Sequence, residues 1–516
     1  MKPAALNERR LCAAVFAASL LLYLSFRSLF FNFDGIACAI AVELSDFKHL
    51  VHGNHLAYGF VGWLFDRAWR LLGYGGRAIL PLQVLDSVLG AAGAAVFASL
   101  LRRSGRSERE AALGAAALAV SHAWWFWSLE AQVYMLGALF AALAAREALD
   151  EKPRPAVAGA WLACAVLGHV GHLMALPALA WLLTRKSGRK SLVPFAAALA
   201  AVVLAAYAAA GAFAVRPRSL EDLRLWLLGS AALGVDRAFS WHSASWAVAV
   251  PSWTRMTLRI FCEFVGRTGL AWTAGIVLAA LPLAAAARGA ARGGREARFW
   301  LFWLAGYAAL FLNWEPGTTV YRVGDLLGLW ALALLGLQGL SARARAGALA
   351  AWTAAACAYN LAFVVLPAAD PAANADLVET NWTAAHAPAD AWVIATSRNA
   401  VYLPYFAGLK TVNLRYFGDE AALDARLDAI AAGGGSVYAT DRTIEEMGLL
   451  AELASYGLEP AAAGDGLTLY RIARQTSGQP SGSSRKKSNN APAARKGPNG
   501  IGSERLAFPA KSSLTP

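Results

Sequence analysis

The stretch that organises this chain is residues 31–60, FNFDGIACAIAVELSDFKHLVHGNHLAYGF, which directly follows the first long apolar run. It places Asp34, the first acid after Glu8, at the end of that run. Five more titratable residues follow within a few helical turns: Glu43, Asp46, His49, His52 and His55. Because ionisable groups beside a membrane segment are costly and often functional, the stretch predicts a functional site at a membrane boundary.

The composition is that of a polytopic membrane protein. The 516 residues are 58% hydrophobic and only 16% charged, which is unlike a soluble globular chain. The five cysteines show neither a pairing nor a metal-ligand spacing, so neither a disulfide framework nor a divalent metal is supported. The run 11–31 is long and lacks a small-residue cleavage site, and we therefore interpret it as an uncleaved span.

Apolar runs that can cross about 30 Å of hydrocarbon recur down to Pro367. We predict eleven spans near 11–31, 78–101, 109–125, 132–147, 155–167, 173–184, 191–214, 268–287, 299–313, 321–340 and 346–367. The run 155–184 is divided because one helix of that length would measure about 45 Å and would bury two histidines at mid-membrane. The turn is expected at 168–172.

The arrangement of Lys and Arg predicts the orientation. Basic residues fill the short loops at 102–109, 146–154, 185–190, 288–298 and 343–345. The alternate loops 126–131, 168–172 and 314–320 contain none. The positive-inside rule makes the basic loops and the N-terminus cytoplasmic, and everything after Pro367 periplasmic. Because the basic residues are accounted for in this way, the net charge of +13 does not indicate nucleic-acid binding.

We therefore expect a membrane domain at 1–367, an outer domain at 368–474 and a disordered basic tail at 475–516. The outer domain reads as a small soluble α/β fold. Its predicted strands are 393–396, 411–414, 437–440 and 467–470, and its predicted helices are 419–432 and 443–456. No phosphate-binding glycine motif occurs at its turns.

Residues 126–140 carry a family resemblance. In this stretch Phe126-Trp127-Ser128 precedes Glu130-Ala131-Gln132-Val133-Tyr134. This pattern resembles a multi-spanning family related to protein O-mannosyltransferases, within the GT-C superfamily of glycosyltransferases. The position of Asp34, the segment 168–177 with its two histidines, and Trp314-Glu315-Pro316 are similar to further elements of that family. Gln132 departs from the pattern, because the family has a second acid there.

The resemblance implies an all-α membrane fold and transfer of a sugar from a polyprenyl-phosphate donor to an acceptor on the outer face. Such a donor already has a good leaving group, so the reaction needs a base that takes the proton of the acceptor hydroxyl. We hypothesise that Asp34 is this base and that Glu130, the second catalytic candidate, orients the acceptor or holds a cation. Direct attack would invert the sugar carbon.

Substrate-binding roles are predicted for the remaining polar residues on the expected outer side: His55, His169, His172, Arg216, Arg218, Glu315 and Arg322. Arginine suits a phosphate because its planar fork makes two parallel bonds. Simpler explanations remain open at this stage. Asp34 would also suit a helix N-cap, Glu130 a solvated loop, the histidines a structural turn, and the arginines an interface to which their side chains extend.

The predicted partners are thus a polyprenyl-phosphate sugar, a protein or glycan acceptor, and the lipid bilayer, and we expect a bacterial inner membrane. Two other classes stay open. A transporter of lipid-linked sugars would need polar residues at mid-membrane, where Asp86 and Asp325 are the notable acids. A non-catalytic assembly factor that kept the fold would tolerate the missing acid at Gln132.

Overall fold

The computed structural model describes residues 3–227, 246–395, 399–413, 420–447 and 456–474. The chain divides into two compact units, Met1–Ala373 and Asn374–Pro516. This border lies six residues after the predicted one at 367/368. The predicted tail 475–516 lies outside the described residues.

The first unit is built from helices. They are α1 Pro3–Leu24, α2 Phe33–Leu44, α3 Phe47–Leu50, α4 Tyr58–Leu71, α5 Ile79–Arg103, α6 Glu108–Val120, α7 His122–Leu129, α8 Tyr134–Leu149, α9 Pro155–Gly168, α10 Leu176–Ser187, α11 Leu192–Ala210, α12 Leu220–Leu227, α13 Trp246–Arg259, α14 Gly269–Arg292, α15 Gly294–Phe311, α16 Val323–Leu337, α17 Ala342–Asn360 and α18 Leu366–Ala369. Short 3-10 or π turns lie at Val170–Ala175, Arg189–Ser191, Gly211–Val215, Val320–Arg322 and Leu361–Val365.

The chain is a multi-pass membrane protein. Within the described ranges, five continuous helical stretches are long and apolar enough to cross a bilayer: Ile79–Arg103, Arg189–Val215, Gly269–Arg292, Val320–Leu337 and Ala342–Ala369. The other predicted spans are shorter or more charged in the structure, and the number eleven stays a prediction. The stretch around α11 exposes its apolar side chains on nearly all sides, as expected of a helix surrounded by lipid.

Helix α5 forms the centre of this unit and packs against α1, α6, α7 and α8. Small residues allow these close contacts. A Cβ at Gly93 would lie 2.6 Å from the Trp124 ring, and one at Gly90 would lie 2.0 Å from the Ser128 hydroxyl. Without water to drive helices together, such close van der Waals packing is what holds a membrane bundle.

The predicted break within 155–184 is present. Helix α9 ends at Gly168, a 3-10 turn covers Val170–Ala175, and α10 begins at Leu176. Gly168 lies directly against the backbone of Gly137 on α8. His169 and His172 therefore lie at the junction of two short helices, and neither is inside a long one.

The second unit contains a five-stranded sheet in the order β2-β1-β3-β5-β4. The strands are β1 Trp392–Ala395, β2 Lys410–Asn413, β3 Val437–Thr440, β4 Tyr456–Gly464 and β5 Leu467–Arg474, and the helices are α19 Ala375–His386, α20 Asn399–Tyr402, α21 Glu420–Ala432 and α22 Asp441–Met447. Strands β1, β2 and β3 are parallel, whereas β5 pairs antiparallel with both β3 and β4. The predicted α/β class is confirmed.

One prediction in this unit is wrong. The sequence indicated a helix from 443 to 456, but Tyr456 belongs to strand β4. The first part of the predicted helix lies in α22 Asp441–Met447, and residues 448–455 lie outside the described residues. This strand reads YGLEPAAAG and contains no β-branched residue, so its composition gave no strand signal. It is an edge strand, and its proline lies at the irregularity in register between Pro460 and Ala462, where a missing N–H is tolerated.

A buried polar cluster joins α19 to the end of β3. Arg442 donates to Asp376 and to Glu379, both at 3.1 Å, and the Thr440 hydroxyl also donates to Glu379. Burial raises the pKa of the Glu379 carboxyl, while Thr440 and Arg442 oppose that rise. Arg442 therefore limits the cost of holding this carboxylate inside the unit.

We expect Arg442→Met to destabilise the second unit by about 3 kcal/mol at pH 8, because it leaves buried carboxylates without their cation. The loss should shrink toward pH 5. A carboxyl whose folded pKa is raised favours the folded state at low pH and loses that stability as the pH rises through its folded pKa. Amide hydrogen exchange of the sheet in the full chain measures this, with the exposed Arg471→Met as control. Equal protection in both variants at pH 8 would contradict the prediction.

Candidate functional site

The candidate base Asp34 lies in the first turn of α2, and its side chain is exposed. The helix N-cap is Asn32, whose side-chain oxygen accepts from the Asp34 N–H at 3.0 Å. The alternative that Asp34 is the cap is therefore wrong. Its carboxylate is held near the positive end of α2 but projects toward solvent, where a substrate could reach it.

Gln132 fixes this carboxylate. Its side-chain amide donates to Asp34 Oδ2 at 3.2 Å and to Asn32 Oδ1 at 2.8 Å. Gln132 itself is 1% exposed. The residue that departs from the family pattern is thus the one that positions the candidate base, and a neutral amide does so without the repulsion that a second carboxylate would bring.

Glu130 is 1% exposed and lies where residues 130–132 meet the start of α2, a contact that we call the corner. The Ser28 hydroxyl donates to its Oε1, and the Asn32 N–H donates to its Oε2 at 3.0 Å. Burial raises the pKa of Glu130 to about 7, although both hydrogen bonds oppose the rise. Glu130 is therefore not a solvated loop acid, and its partners in the described part of the chain are Ser28 and Asn32, not a cation.

The start of α2 and the segment 130–132 can meet because residue 35 is a glycine. A Cβ at Gly35 would lie 2.4 Å from the carbonyl oxygen of Ala131, so any other residue would push α2 away from the 130–132 segment. The Gln132 N–H is in turn anchored to Asp86 Oδ2 at 2.8 Å, and the Tyr58 hydroxyl donates to the same oxygen at 2.5 Å. Asp86, on α5, thus links the segment before α8 to the start of α4.

Two of the predicted histidines line the adjoining surface. The ring of His169 lies 4.7 Å from that of Tyr134 and stacks with Trp314 at 6.5 Å. The His172 Nδ1 is 2.6 Å from the Tyr307 hydroxyl. Burial lowers the pKa of His169 to about 3 and that of His172 to about 4, so both rings are neutral at physiological pH.

Residues 54–57 contact the backbone on either side of His169. The Val170 N–H donates to the Asn54 carbonyl and the Ala57 N–H to the Leu167 carbonyl, both at 2.8 Å. His55, a neighbour of these residues, is half-buried and stacks on His52 with ring centres 4.3 Å apart. A narrow cavity lies beside this contact, lined among others by Tyr134, His169, His172, Tyr307 and Tyr321.

The predicted arginines occupy different environments. Arg322 is 1% exposed, forms an ion pair with Asp325, donates to the Thr257 hydroxyl at 2.9 Å, and stacks over the Trp253 ring at 4.6 Å. Its guanidinium is thus engaged by the protein, which removes the reason to assign it to a phosphate. Arg216 and Arg218 are both exposed, just after the turn that follows α11.

Glu315 also belongs to this end of the bundle. Its carboxylate accepts from the Thr318 hydroxyl at 3.3 Å and lies close enough to the Tyr134 hydroxyl for an electrostatic interaction. The structure therefore brings Asp34, Glu130 and the 168–172 and 314–321 loops to one end of the helices. The sequence missed Asn32, Ser28, Tyr58 and Tyr134 as parts of this site, although Asn32 stands where an N-cap would precede α2.

In the described residues, no group of three or more His, Cys, Asp or Glu is arranged to hold a metal ion. The polar groups instead form one hydrogen-bonded corner beside a wall of aromatic rings. This is a membrane-embedded, largely helical fold whose polar site lies at one end of the bundle, which is the arrangement predicted for a GT-C fold.

Two solved structures of ArnT support this assignment of the fold. The chain is similar to ArnT from Cupriavidus metallidurans bound to undecaprenyl phosphate, with a TM-score of 0.56, 14% identity, and 89% of this chain and 97% of that chain covered. The apo state of ArnT gives a TM-score of 0.57 at 14% identity, covering 91% and 98%. The arabinofuranosyltransferase AftD from mycobacteria gives 0.46 at 17% identity, covering 90% of this chain and 40% of that one.

No protein-family model and no curated protein matches the sequence. The predicted GT-C fold is confirmed by the structural likeness, which shows the fold alone. The nearer relation to protein O-mannosyltransferases stays a prediction.

We expect Glu130→Gln to keep the fold of this corner, because its amide can accept from the Asn32 N–H and donate to the Ser28 hydroxyl. Glu130→Ala should lower stability by about 2–4 kcal/mol, since it leaves both donors unpaired beside a void. The wild-type apparent Tm in detergent should fall as the pH rises through about 7, because a raised carboxyl pKa favours the folded state at low pH.

The Gln variant should lose that pH dependence. The exposed Glu108→Gln serves as the matched control and should behave as wild type. Two outcomes would be inconsistent with a buried Glu130 that accepts two hydrogen bonds. One is a wild-type Tm that does not change from pH 5 to 8, and the other is an Ala variant as stable as the Gln variant.

Proposed function

We propose that this protein is a membrane glycosyltransferase that transfers a sugar from a polyprenyl-phosphate donor to a hydroxyl of a protein or glycan acceptor. The observation that carries the proposal is the exposed Asp34 carboxylate, held by Gln132 at one end of a GT-C fold. The solved structure of ArnT with undecaprenyl phosphate shows that a chain of this fold binds such a lipid carrier. The acceptor side is proposed to be the periplasmic face of a bacterial inner membrane.

The reaction balances with one base. The acceptor oxygen attacks the anomeric carbon, the bond from that carbon to the phosphate oxygen breaks, and the polyprenyl phosphate leaves as an anion. The acceptor proton moves to Asp34. The phosphate needs no protonation to leave, so no general acid is required.

The environment of the second carboxyl supports inversion. A retaining mechanism through a covalent intermediate needs two carboxyl groups about 5 Å apart and both able to reach the sugar. Glu130 is buried, and its two oxygens are engaged by Ser28 and Asn32. Glu130 thus acts as a positioning residue, because the backbone that it binds begins the turn that presents Asp34.

For the donor phosphate, Arg216 and Arg218 remain the proposed ligands. The turn that precedes them packs with Val51 and Leu56, and this packing supports a position at the same end of the bundle as Asp34. His169 and His172 are neutral and can each donate at most one ring N–H, so they suit contacts to sugar hydroxyls better than to a phosphate. His55 and Glu315 are proposed to contact the substrates near them.

The transporter alternative is weaker in the light of the structure. Its support came from the acids inside spans, and both are bound by protein groups: Asp86 by Tyr58 and Gln132, and Asp325 by Arg322. The assembly-factor alternative is separated from an enzyme by the following variant.

We expect Asp34→Asn to lower transfer by about 10²–10⁴-fold, because the amide cannot take the acceptor proton. The measurement is release of undecaprenyl phosphate, followed by mass spectrometry, from a panel of undecaprenyl-phosphate pentoses and hexoses incubated with membranes that contain the protein. Asp370→Asn, an exposed acid at the end of the first unit, should retain full activity. Full activity of Asp34→Asn, with normal amounts of inserted protein, would refute the assigned base.

We expect Gln132→Glu to move the acidic limb of the kcat/KM profile to higher pH by roughly one unit. A second negative charge beside Asp34 disfavours its ionised form and raises its pKa, and the base works only when deprotonated. Gln338→Glu, an exposed position at the end of α16, is the matched control and should leave the profile unchanged. A limb that stays in place or moves to lower pH would show that Gln132 does not act through Asp34.

A further inference from the structure

A second cavity lies at the other end of the bundle, between α1, α5 and α8, and measures about 470 Å³. Its charged lining consists of Glu8, Arg9, Arg103 and Arg146. Arg103 lies about 25 Å along α5 from Asp86, which belongs to the candidate site. The two sites therefore cannot share one bound phosphate.

The cavity changes character with depth. Along α5 its lining runs from Arg103 through Ser99 to Ala95, residues that lie on one face of the helix because they are four apart. This distance is about 12 Å along the axis. Val96 and Leu143 complete an apolar inner wall. The mouth thus suits an anionic group, whereas the inner part suits a hydrocarbon chain.

Hydrogen bonds fix the polar mouth. The Ser99 hydroxyl donates to Glu8 and accepts from Arg146 Nε at 2.6 Å, and Arg103 Nε lies 3.4 Å from the same carboxylate. Arg146 Nη2 lies 3.7 Å from Glu8, and Arg103 also pairs with Asp150. The carboxylates orient the guanidinium groups without cancelling them, since three arginines outnumber the two carboxylates Glu8 and Asp150.

We propose that this cavity binds an anionic glycerophospholipid of the bilayer, with the headgroup phosphate at Arg9, Arg103 and Arg146 and an acyl chain along the apolar wall. Charge complementarity and the polarity gradient both favour this occupant over a soluble ion, because a soluble phosphate would not use Ala95, Val96 or Leu143. Basic pockets between transmembrane helices recognise lipid headgroups by this combination. The site is distinct from the donor site and does not depend on the proposed function.

The test is native mass spectrometry of the full chain in detergent, titrated with phosphatidylglycerol, with phosphatidylcholine and with glycerol 3-phosphate. We expect phosphatidylglycerol to bind in preference to the other two. Arg9→Gln should weaken its binding roughly fivefold, and Arg9→Gln with Arg146→Gln roughly 30-fold, at about 1 kcal/mol for each arginine. The exposed Arg109→Gln is the matched control and should bind as wild type.

A second variant separates headgroup from chain. Val96→Trp fills the apolar part and leaves every charge in place, so it should weaken phosphatidylglycerol binding and leave the fold intact by circular dichroism. Equal phosphatidylglycerol binding by wild type, the double Arg variant and Val96→Trp would overturn the proposal. Glycerol 3-phosphate binding as tightly as phosphatidylglycerol, with no effect of Val96→Trp, would also overturn it and indicate a soluble phosphate ligand.

Discussion

The contact between the start of α2 and the segment 130–132 is the constraint on which the candidate site depends. Gly35 lies against the Ala131 carbonyl, and Glu130 and Gln132 on either side bond back to Asn32 and Asp34. Because these bonds are partly buried, leaving a donor or acceptor unpaired would cost more than in water. The corner therefore holds one geometry and presents one carboxylate to the outside.

Burial divides the two acids of this corner into different roles. Asp34 is exposed and supported by neutral amides, whereas Glu130 is enclosed and has a pKa raised to about 7. The same functional group, a carboxyl, is thus accessible in one place, where we propose a base, and a buried hydrogen-bond acceptor in the other. The environment of each carboxyl decides between these roles, as in enzymes that use two carboxyl groups.

The helices that carry this corner also carry a different kind of site at their other end. Helix α5 bears Asp86 near one terminus and Arg103 at the other, and α8 runs in the same way from Tyr134 to Arg146. We propose that these two ends, which differ strongly in charge, bind a lipid-linked substrate at one end and an anionic lipid at the other.

The sequence by itself determined the membrane class, the break near Gly168 and most of the strands of the second unit, because apolar length, glycine and residue periodicity act locally. Only the tertiary structure decided that Gln132 holds Asp34, that Glu130 is buried and that Arg322 is bound by Asp325. These outcomes depend on contacts between residues far apart in the chain, and periodicity and spacing do not encode which side chains meet across a bundle.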